Sequence, residues 1–192
     1  MKTPVLALAL LLSLMVPLGT PSVAAAGPDE ARATAVATPI QRFVQLEEGL
    51  YRGAQPDEAG FRYLKDLGIR TIVSFRNDTT ERALVESLGM RFVNIPVSFR
   101  VFGLGDDFDA EDVRQFLSVV DDPTAGPIFF HCKRGADRTG SFAAIYRIAR
   151  QGWAEDQALK EARDRGMRWW YFPMRGQVKD YARQMQPLST AQ

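Results

Sequence analysis

The sequence is poor in two reactive residue types, because its 192 residues include one cysteine and one histidine. A single cysteine excludes an intramolecular disulfide, and an unpaired cysteine in an exported chain is a sign of a reactive thiol. The alternative fate of a free cysteine is that of a small buried hydrophobic residue. Here the two rare residues are adjacent, at His131 and Cys132. This placement favours a functional role for the cysteine.

The chain also lacks an excess of charge of one sign, with 24 basic residues against 23 acidic ones. Removal of the N-terminal segment described next would take away Lys2 and no acid, leaving 23 of each. A neutral chain has no broad positive surface for nucleic acid, so no nucleic-acid partner is expected. The length suits one typical domain, and no internal repeat is visible.

Long apolar runs are confined to the N-terminus, where residues 5–18 are followed by small residues up to Ala26. This pattern predicts a cleavable signal peptide over residues 1–26, with cleavage near Ala26, and hence a periplasmic or secreted protein. The alternative is an uncleaved membrane anchor, but the run is short for the ~20 residues of a spanning helix. No cysteine follows the run, so lipid attachment is not expected there.

The remaining chain is predicted to hold a flexible leader over 27–40, one domain over 41–187 and a flexible tail over 188–192. Within the domain, strand-like and helix-like segments alternate, which predicts a single α/β domain. We expect a mostly parallel sheet of four to five strands with helices on both faces, and a site at the carboxyl end of the strand 128–131. The predicted elements are a hairpin over 43–52, a helix with Pro56 in its first turn, strands at 71–75, 91–97 and 127–130, and a helix capped by Asp109 with Asp112.

The run HCKRGADRTG, residues 131–140, follows that strand and precedes a helix. Such a loop can turn its backbone N–H groups inward around an anion, and the helix N-terminus adds positive potential. Gly135 gives the backbone the freedom that a tight turn needs, and the rigid fork of Arg138 can hold two phosphate oxygens. We therefore expect residues 133–138 to bind phosphate, through Lys133, Arg134, Gly135, Ala136, Asp137 and Arg138.

The same environment favours the thiolate of Cys132, since cysteine pKa values fall from about 8.5 to ~3.5–7.5 beside cations and helix N-termini. In-line attack on a phosphate ester would form a cysteinyl-phosphate that water then hydrolyses. Thr139 can donate a hydrogen bond to the departing sulfur. This chemistry requires no metal or organic cofactor.

HCKRGADRTG resembles the HC-x5-R-[ST] active-site loop of the protein tyrosine and dual-specificity phosphatase superfamily. The stretch LYRGAQP at 50–56, a strand ending at Arg76 and an acid-bearing loop resemble the compact atypical dual-specificity group, over most of residues 43–165. The resemblance implies hydrolysis of phosphate monoesters. It also implies a general acid, an Asp on a mobile loop that protonates the leaving oxygen.

Candidates for that acid are Asp106, Asp107 and Asp109, of which Asp109 is better suited to capping a helix. Asp107 is slightly preferred over Asp106, and a solvated acidic loop is the alternative for either. Asp137 departs from the usual pattern and resembles the Asp of myotubularin-like phosphoinositide phosphatases, which has been considered for the acid role. For His131 we favour a structural role, ordering the loop and tuning Cys132, over proton transfer.

The sequence leaves the substrate open between phosphotyrosine or phosphoserine proteins, phosphoinositides and soluble inositol phosphates. Lys133 and Arg134 resemble the loops of phosphoinositide phosphatases and of plant and fungal enzymes for inositol pyrophosphates, but they can equally point to solvent. The aromatic stretch 168–173 is predicted to form a satellite core beneath the last helix, with pocket lining or contact with a membrane surface as alternatives. Arg52 and Arg76 are weaker candidates for phosphate contact.

Three other functions fit parts of the pattern. A rhodanese-like sulfurtransferase has a similar but shorter cysteine loop, and the five residues between Cys132 and Arg138 favour phosphate. A non-catalytic phosphate-binding module, or pseudophosphatase, would need the loop and the arginine but not the thiolate. A redox sensor would use the oxidisable thiol, but the chain has no second cysteine to resolve a sulfenic acid.

Overall fold

The computed structural model describes residues 38–98, 108–170 and 172–185. Asp106, Asp107, the predicted signal peptide and the predicted C-terminal tail lie outside the described residues. Five strands form one sheet in the order β1-β2-β5-β3-β4. Their bounds are Val44–Glu47 for β1, Leu50–Ala54 for β2, Thr71–Ser74 for β3, Arg91–Asn94 for β4 and Ile128–Cys132 for β5.

The strand directions confirm the predicted α/β class. β1 and β2 form an antiparallel hairpin. β2 and β3 each run parallel to β5, and β4 runs parallel to β3. β5 lies in the middle and pairs with both β2 and β3, so that Cys132 stands opposite Ala54 and His131 opposite Ser74. The carboxyl ends of three strands therefore meet at one edge, which is where ligands bind in open α/β sheets.

Six helices in the described ranges cover both faces of the sheet, as expected. They are α1 Glu58–Asp66, α2 Arg82–Ser87, α3 Ala110–Asp121, α4 Asp137–Gln151, α5 Glu155–Asp164 and α6 Phe172–Met185. Successive side chains of a strand point to opposite faces. In β5, Phe130 accordingly packs with residues of α3 and α4 and Phe129 with residues of α1 and α2, in two separate apolar clusters. No helix of the described residues is long and apolar enough to cross a membrane.

Two helix starts test the predicted caps. Asp57 caps α1, and its side chain accepts a hydrogen bond of 2.8 Å from the Gly60 N–H. Pro56 therefore precedes the cap, and its predicted place in the first helical turn is wrong. The prediction for α3 is confirmed, because Asp109 and Asp112 form a reciprocal capping box.

The start of the fold lies earlier than the composition indicated. Ile40, predicted to be the last residue of a flexible leader, is buried and packs in the cluster that contains Phe43 and Phe61. The neighbouring Gln41 carbonyl accepts a 2.8 Å hydrogen bond from the Ala54 N–H. The Ala- and Thr-rich composition before Ile40 hid this anchor, since one buried side chain leaves no periodic pattern.

The predicted satellite core beneath the last helix is wrong for the three aromatic residues of this stretch that the structure describes. Trp169, Trp170 and Phe172 are 69%, 48% and 65% exposed. Burial in this segment falls instead on Met167 and Met174, which flank the aromatic residues and reach the larger cluster.

Candidate active site

The loop between β5 and α4 is held against β2 by Gly135. Its φ is +64°, in the left-handed region that favours glycine. A Cβ atom at this position would overlap the backbone of Gly53 and Ala54, at 2.5 Å from the Gly53 carbonyl oxygen. Only glycine allows this close approach, which confirms the backbone freedom predicted for Gly135 and adds a steric reason to it.

Arg52 supports the loop from beneath. It is 1% exposed, and its Nη2 donates a 2.8 Å hydrogen bond to the Gly135 carbonyl. Burial lowers the pKa of the guanidinium to about 10, while the charges of Glu161 and Cys132 act in the opposite direction. The group remains a cation at neutral pH. Arg52, a weak candidate for phosphate contact, thus contacts the loop backbone instead.

Cys132 is the last residue of β5 and is buried. Burial by itself raises the pKa of its thiol, but the hydroxyl and backbone N–H of Thr139, the charge of Arg138 and the backbone N–H of Arg134 outweigh it, and the net pKa lies below the ordinary value. Thr139, in the first turn of α4, is itself fully buried. The arrangement favours a thiolate at the floor of the loop.

Arg138 is oriented by backbone carbonyls at the same edge of the sheet. Its Nη1 donates hydrogen bonds of 2.8 Å to Phe75 and 3.0 Å to Val97, which follow β3 and β4. A guanidinium carries N–H groups on all three nitrogens. In the described part of the chain no hydrogen bond engages Nε or Nη2, so this pair is available to two phosphate oxygens.

His131 contacts a buried carboxylate that the sequence analysis missed. Its Nε2 lies 3.3 Å from Oε1 of Glu81, and Glu81 accepts 2.6 Å hydrogen bonds from Ser74 Oγ and Gln55 Nε2. Burial alone raises the pKa of Glu81, but hydrogen bonds and the positive potential of His131 outweigh it and lower the pKa. These contacts place an ionised carboxylate behind His131, in keeping with a role in ordering the loop.

The same network extends to Arg76. Its Nη1 donates to Gln55 Oε1, and its Nη2 lies 2.5 Å from Asp78 Oδ2. Arg76 is thereby occupied at the end of β3 and orients Gln55 toward Glu81. Both terminal nitrogens of Arg76 have partners within the protein, which disfavours this weak candidate for phosphate contact.

Asp137, the first residue of α4, is an anchor for a distant segment. Its Oδ1 accepts a 2.9 Å hydrogen bond from the Arg168 backbone N–H, and its Oδ2 lies 3.0 Å from Arg168 Nε and 2.8 Å from Nη2. Both carboxylate oxygens are therefore occupied, which disfavours Asp137 as the general acid. Asp109 is likewise committed to its helix cap.

The outer side of the loop carries the two cations. The side chains of Lys133 and Arg134 are exposed, and Arg134 Nη1 lies 3.8 Å from Asp137 Oδ2. The Arg134 carbonyl accepts a 3.1 Å hydrogen bond from Nη1 of Arg42, the one non-glycine residue with positive φ in the described ranges. Ala136 is fully buried. The structure thus brings residues 131–139 together at the junction of β5, the loop 133–136 and α4, with basic side chains at its rim.

The described residues contain no cluster of histidine, cysteine and acidic side chains able to hold a metal ion. The chemistry available here is that of a buried thiol of lowered pKa, the guanidinium of Arg138, and the backbone N–H groups of Arg134 and Thr139 directed at the thiol. These groups suit in-line attack on a tetrahedral oxyanion.

Comparisons with known proteins agree with this geometry. A family model described as DSP-PTPase phosphatase fused to NAD+ kinase matches residues 37–169. The dual specificity protein phosphatase TpbA of Pseudomonas aeruginosa is 36% identical over 124 residues, which are 64% of this chain and 54% of TpbA. The chain thus matches about half the length of this curated relative.

Two further similarities bear on substrate. The inositol diphosphatase DSP3 of Arabidopsis thaliana is 28% identical over 138 residues, 70% of this chain and 67% of that protein. The crystal structure of a cysteine-to-serine variant of P. aeruginosa TpbA in complex with phosphotyrosine superposes with a TM-score of 0.63 at 30% identity, covering 84% of this chain and 98% of that one.

Proposed function

The chain belongs to the DSP-PTPase phosphatase family, and on this basis we propose that it is a cysteine-dependent phosphatase that hydrolyses phosphate monoesters through a cysteinyl-phosphate intermediate. The observation that carries the proposal is geometric: the buried Cys132 ends β5, and Arg138 in the first turn of α4 is already oriented by two backbone carbonyls. The lowered pKa of the thiol supports it. A thiolate and an anion-binding loop at one place are the two requirements of this chemistry.

The proposed reaction has two steps. The Cys132 sulfur attacks phosphorus, the ester oxygen leaves with its electron pair, and Arg138 with the loop N–H groups stabilises the equatorial oxygens. Water then attacks phosphorus and releases the thiolate, toward which Thr139 donates. The leaving oxygen takes its proton from an acid for which we retain Asp107, with Asp106 as the alternative.

His131 acts through Cys132 rather than on the substrate. Its imidazole sits between the loop and the buried Glu81. Removal of the carboxylate would leave that ring without its charged neighbour, so Glu81 and His131 are positioning residues in this proposal.

We consider two substrate classes for this activity. A phosphotyrosine protein is supported by the TpbA complex, and an inositol phosphate by the similarity to DSP3. The exposed Lys133 and Arg134 at the loop rim favour a substrate with more than one phosphate as the second candidate.

The test is phosphate release by the purified chain beside Cys132→Ser, on an aryl phosphate, a phosphotyrosyl peptide, a phosphoinositide and an inositol polyphosphate. Turnover that disappears in Cys132→Ser is expected. Equal turnover by both proteins would refute the cysteine mechanism. No turnover, with phosphate or vanadate still bound, would support the pseudophosphatase, and transfer of sulfur from thiosulfate to cyanide would support the sulfurtransferase.

We also propose that residues 1–26 direct export and are removed near Ala26. Amino-terminal sequencing of the protein recovered from periplasm or medium should begin close to Gly27. A start at Met1 in membrane fractions would instead support the uncleaved anchor.

A further inference from the structure

Three large aromatic side chains lie at the surface where the segment after α5 leads into the first turn of α6. Trp169, Trp170 and Phe172, here called the aromatic rim, are each about half exposed or more. Single exposed apolar residues are ordinary, whereas a cluster of them indicates a site of interaction. Each such ring offers ~150–250 Å² for burial against a partner.

Arginine side chains stack on two of these rings and restrict their motion. The guanidinium of Arg168 lies 4.7 Å from the centre of the Trp170 ring, and that of Arg175 lies 5.8 Å from the Phe172 ring. Arg175 Nη1 also donates a 2.6 Å hydrogen bond to the Trp169 carbonyl. Such stacking restricts these side chains before a partner binds, so less side-chain conformational entropy is lost on binding.

The residue before the aromatic rim, Arg168, is fixed to the start of α4, next to the loop 133–136. Both the backbone N–H and the guanidinium of Arg168 bind Asp137, which begins α4 directly after the loop. Asp137 lies five residues beyond Cys132 in the sequence. Arg168, which precedes Trp169, is therefore fixed to the first turn of α4, so the aromatic rim begins beside the helix that follows the candidate active-site loop.

We propose that the aromatic rim binds apolar side chains next to the phosphorylated residue of a protein substrate, and so selects phosphoproteins over soluble inositol phosphates. This inference rests on the proposed function. Trp, Phe and Arg are the residue types enriched where protein interfaces are energetically strongest. An inositol phosphate has no apolar side chain to place against these rings.

A membrane surface is the other apolar environment that exposed aromatic side chains bind. The charges near the aromatic rim argue against this alternative. Attraction to anionic lipid needs uncompensated cations. Arg168 is paired with Asp137, and Arg134 Nη1 lies 3.8 Å from the same carboxylate, so two cations beside the aromatic rim are compensated by a nearby acid.

The experiment compares two phosphotyrosyl peptides of equal length and charge, one with leucine and phenylalanine beside the phosphotyrosine and one with serine and glycine, together with an aryl phosphate. The wild type should favour the apolar peptide. The double variant Trp169→Ala/Phe172→Ala should lose kcat/KM on the apolar peptide about tenfold more than on the aryl phosphate, a typical effect of removing an interface aromatic. Trp169→Tyr, which keeps a ring, should retain most of the preference.

Leu67→Ala is the matched control. Leu67 is 41% exposed and lines a cavity with Pro127 and Ile128, at the amino end of β5 and therefore at the opposite edge of the sheet. Its loss should alter turnover of neither peptide.

Equal loss on all three substrates, or an undiminished preference for the apolar peptide in the double variant, would overturn the inference. So would binding to phosphatidylglycerol vesicles that disappears in the double variant while the peptide preference persists, because the rim would then be a membrane contact. A wild type inactive on every substrate would refute the proposed function, and the inference with it.

Discussion

Replacement of Gly135 by alanine tests whether the loop depends on backbone contact with β2. The new Cβ would meet two costs. A left-handed conformation costs a non-glycine residue roughly 1–2 kcal/mol. The overlap with the Gly53 carbonyl and the Ala54 N–H adds an overpacking cost of about 1–3 kcal/mol. Because the colliding atoms are backbone, no side chain can swing away.

Gly152→Ala is a control with the same conformation and no overlap. Gly152 ends α4 at φ +67°, against +64° for Gly135, and a Cβ there meets nothing within 4 Å. The free energy of unfolding of Gly152→Ala should fall only by the cost of the left-handed conformation, about 1–2 kcal/mol. Gly135→Ala should lose about 2–5 kcal/mol in total.

Equilibrium urea unfolding of both variants measures the two losses, and vanadate binding reports the state of the loop. Gly135→Ala should also bind vanadate more weakly than Gly152→Ala does, because the displaced loop no longer points its N–H groups inward. Equal losses of unfolding free energy in the two variants would refute the proposed backbone contact between the loop and β2.

Alkylation of Cys132 as a function of pH should give a midpoint below the ordinary thiol value of 9.0, and Thr139→Ala should move it upward; an unshifted wild-type midpoint would remove the thiolate argument. The folded pKa of Glu81 lies below its ordinary value of 4.5, so its stabilising contribution is present above that pH and is lost as the pH falls through the folded pKa. The stability difference between wild type and Glu81→Gln, from urea unfolding, should therefore shrink in acid, and a constant difference would contradict this. Asp107→Asn should slow turnover of esters with poor leaving groups by ~10²–10⁴ and of good ones much less; if Asp106→Asn does so instead, the choice of acid was wrong.

The sheet and the loop were predictable because each has a local signature. The apolar run at 127–130 begins at Pro127 after Gly126, and the motif that contains Cys132 and Arg138 follows it directly. Both features depend on neighbouring residues alone, and the structure confirms the strand and the loop in the predicted order.

The buried charges were not predictable, because their burial depends on distant partners. Glu81 stands before a short helix, as many solvated acids do, and only the fold brings Ser74 and His131 to it. Arg52 sits in a strand whose partner β5 lies far along the chain. No local pattern distinguishes either residue from its exposed counterparts.

The prediction for the aromatic rim failed in the opposite direction, because burial was predicted and the residues are exposed. Its composition indicated burial, since large apolar residues are usually found inside. Burial is decided by the space available, and in this segment Met167 and Met174 already fill the core. The arginines beside the rings were visible in the sequence, but their pairing with Asp137 and the rings was not.

The central place of β5 has a consequence for the order in which the molecule can assemble. β2 and β3 are both complete in the first half of the chain, yet each needs β5 as its inner neighbour. A nascent chain that ends before Ile128 carries two short pairs of strands with open edges, and open edges are prone to pair with other chains. Joining them is a pairing between residues distant in sequence, which is slow. The loop of the candidate active site follows the strand that closes this gap, so formation of this site and completion of the sheet should occur in one and the same folding event.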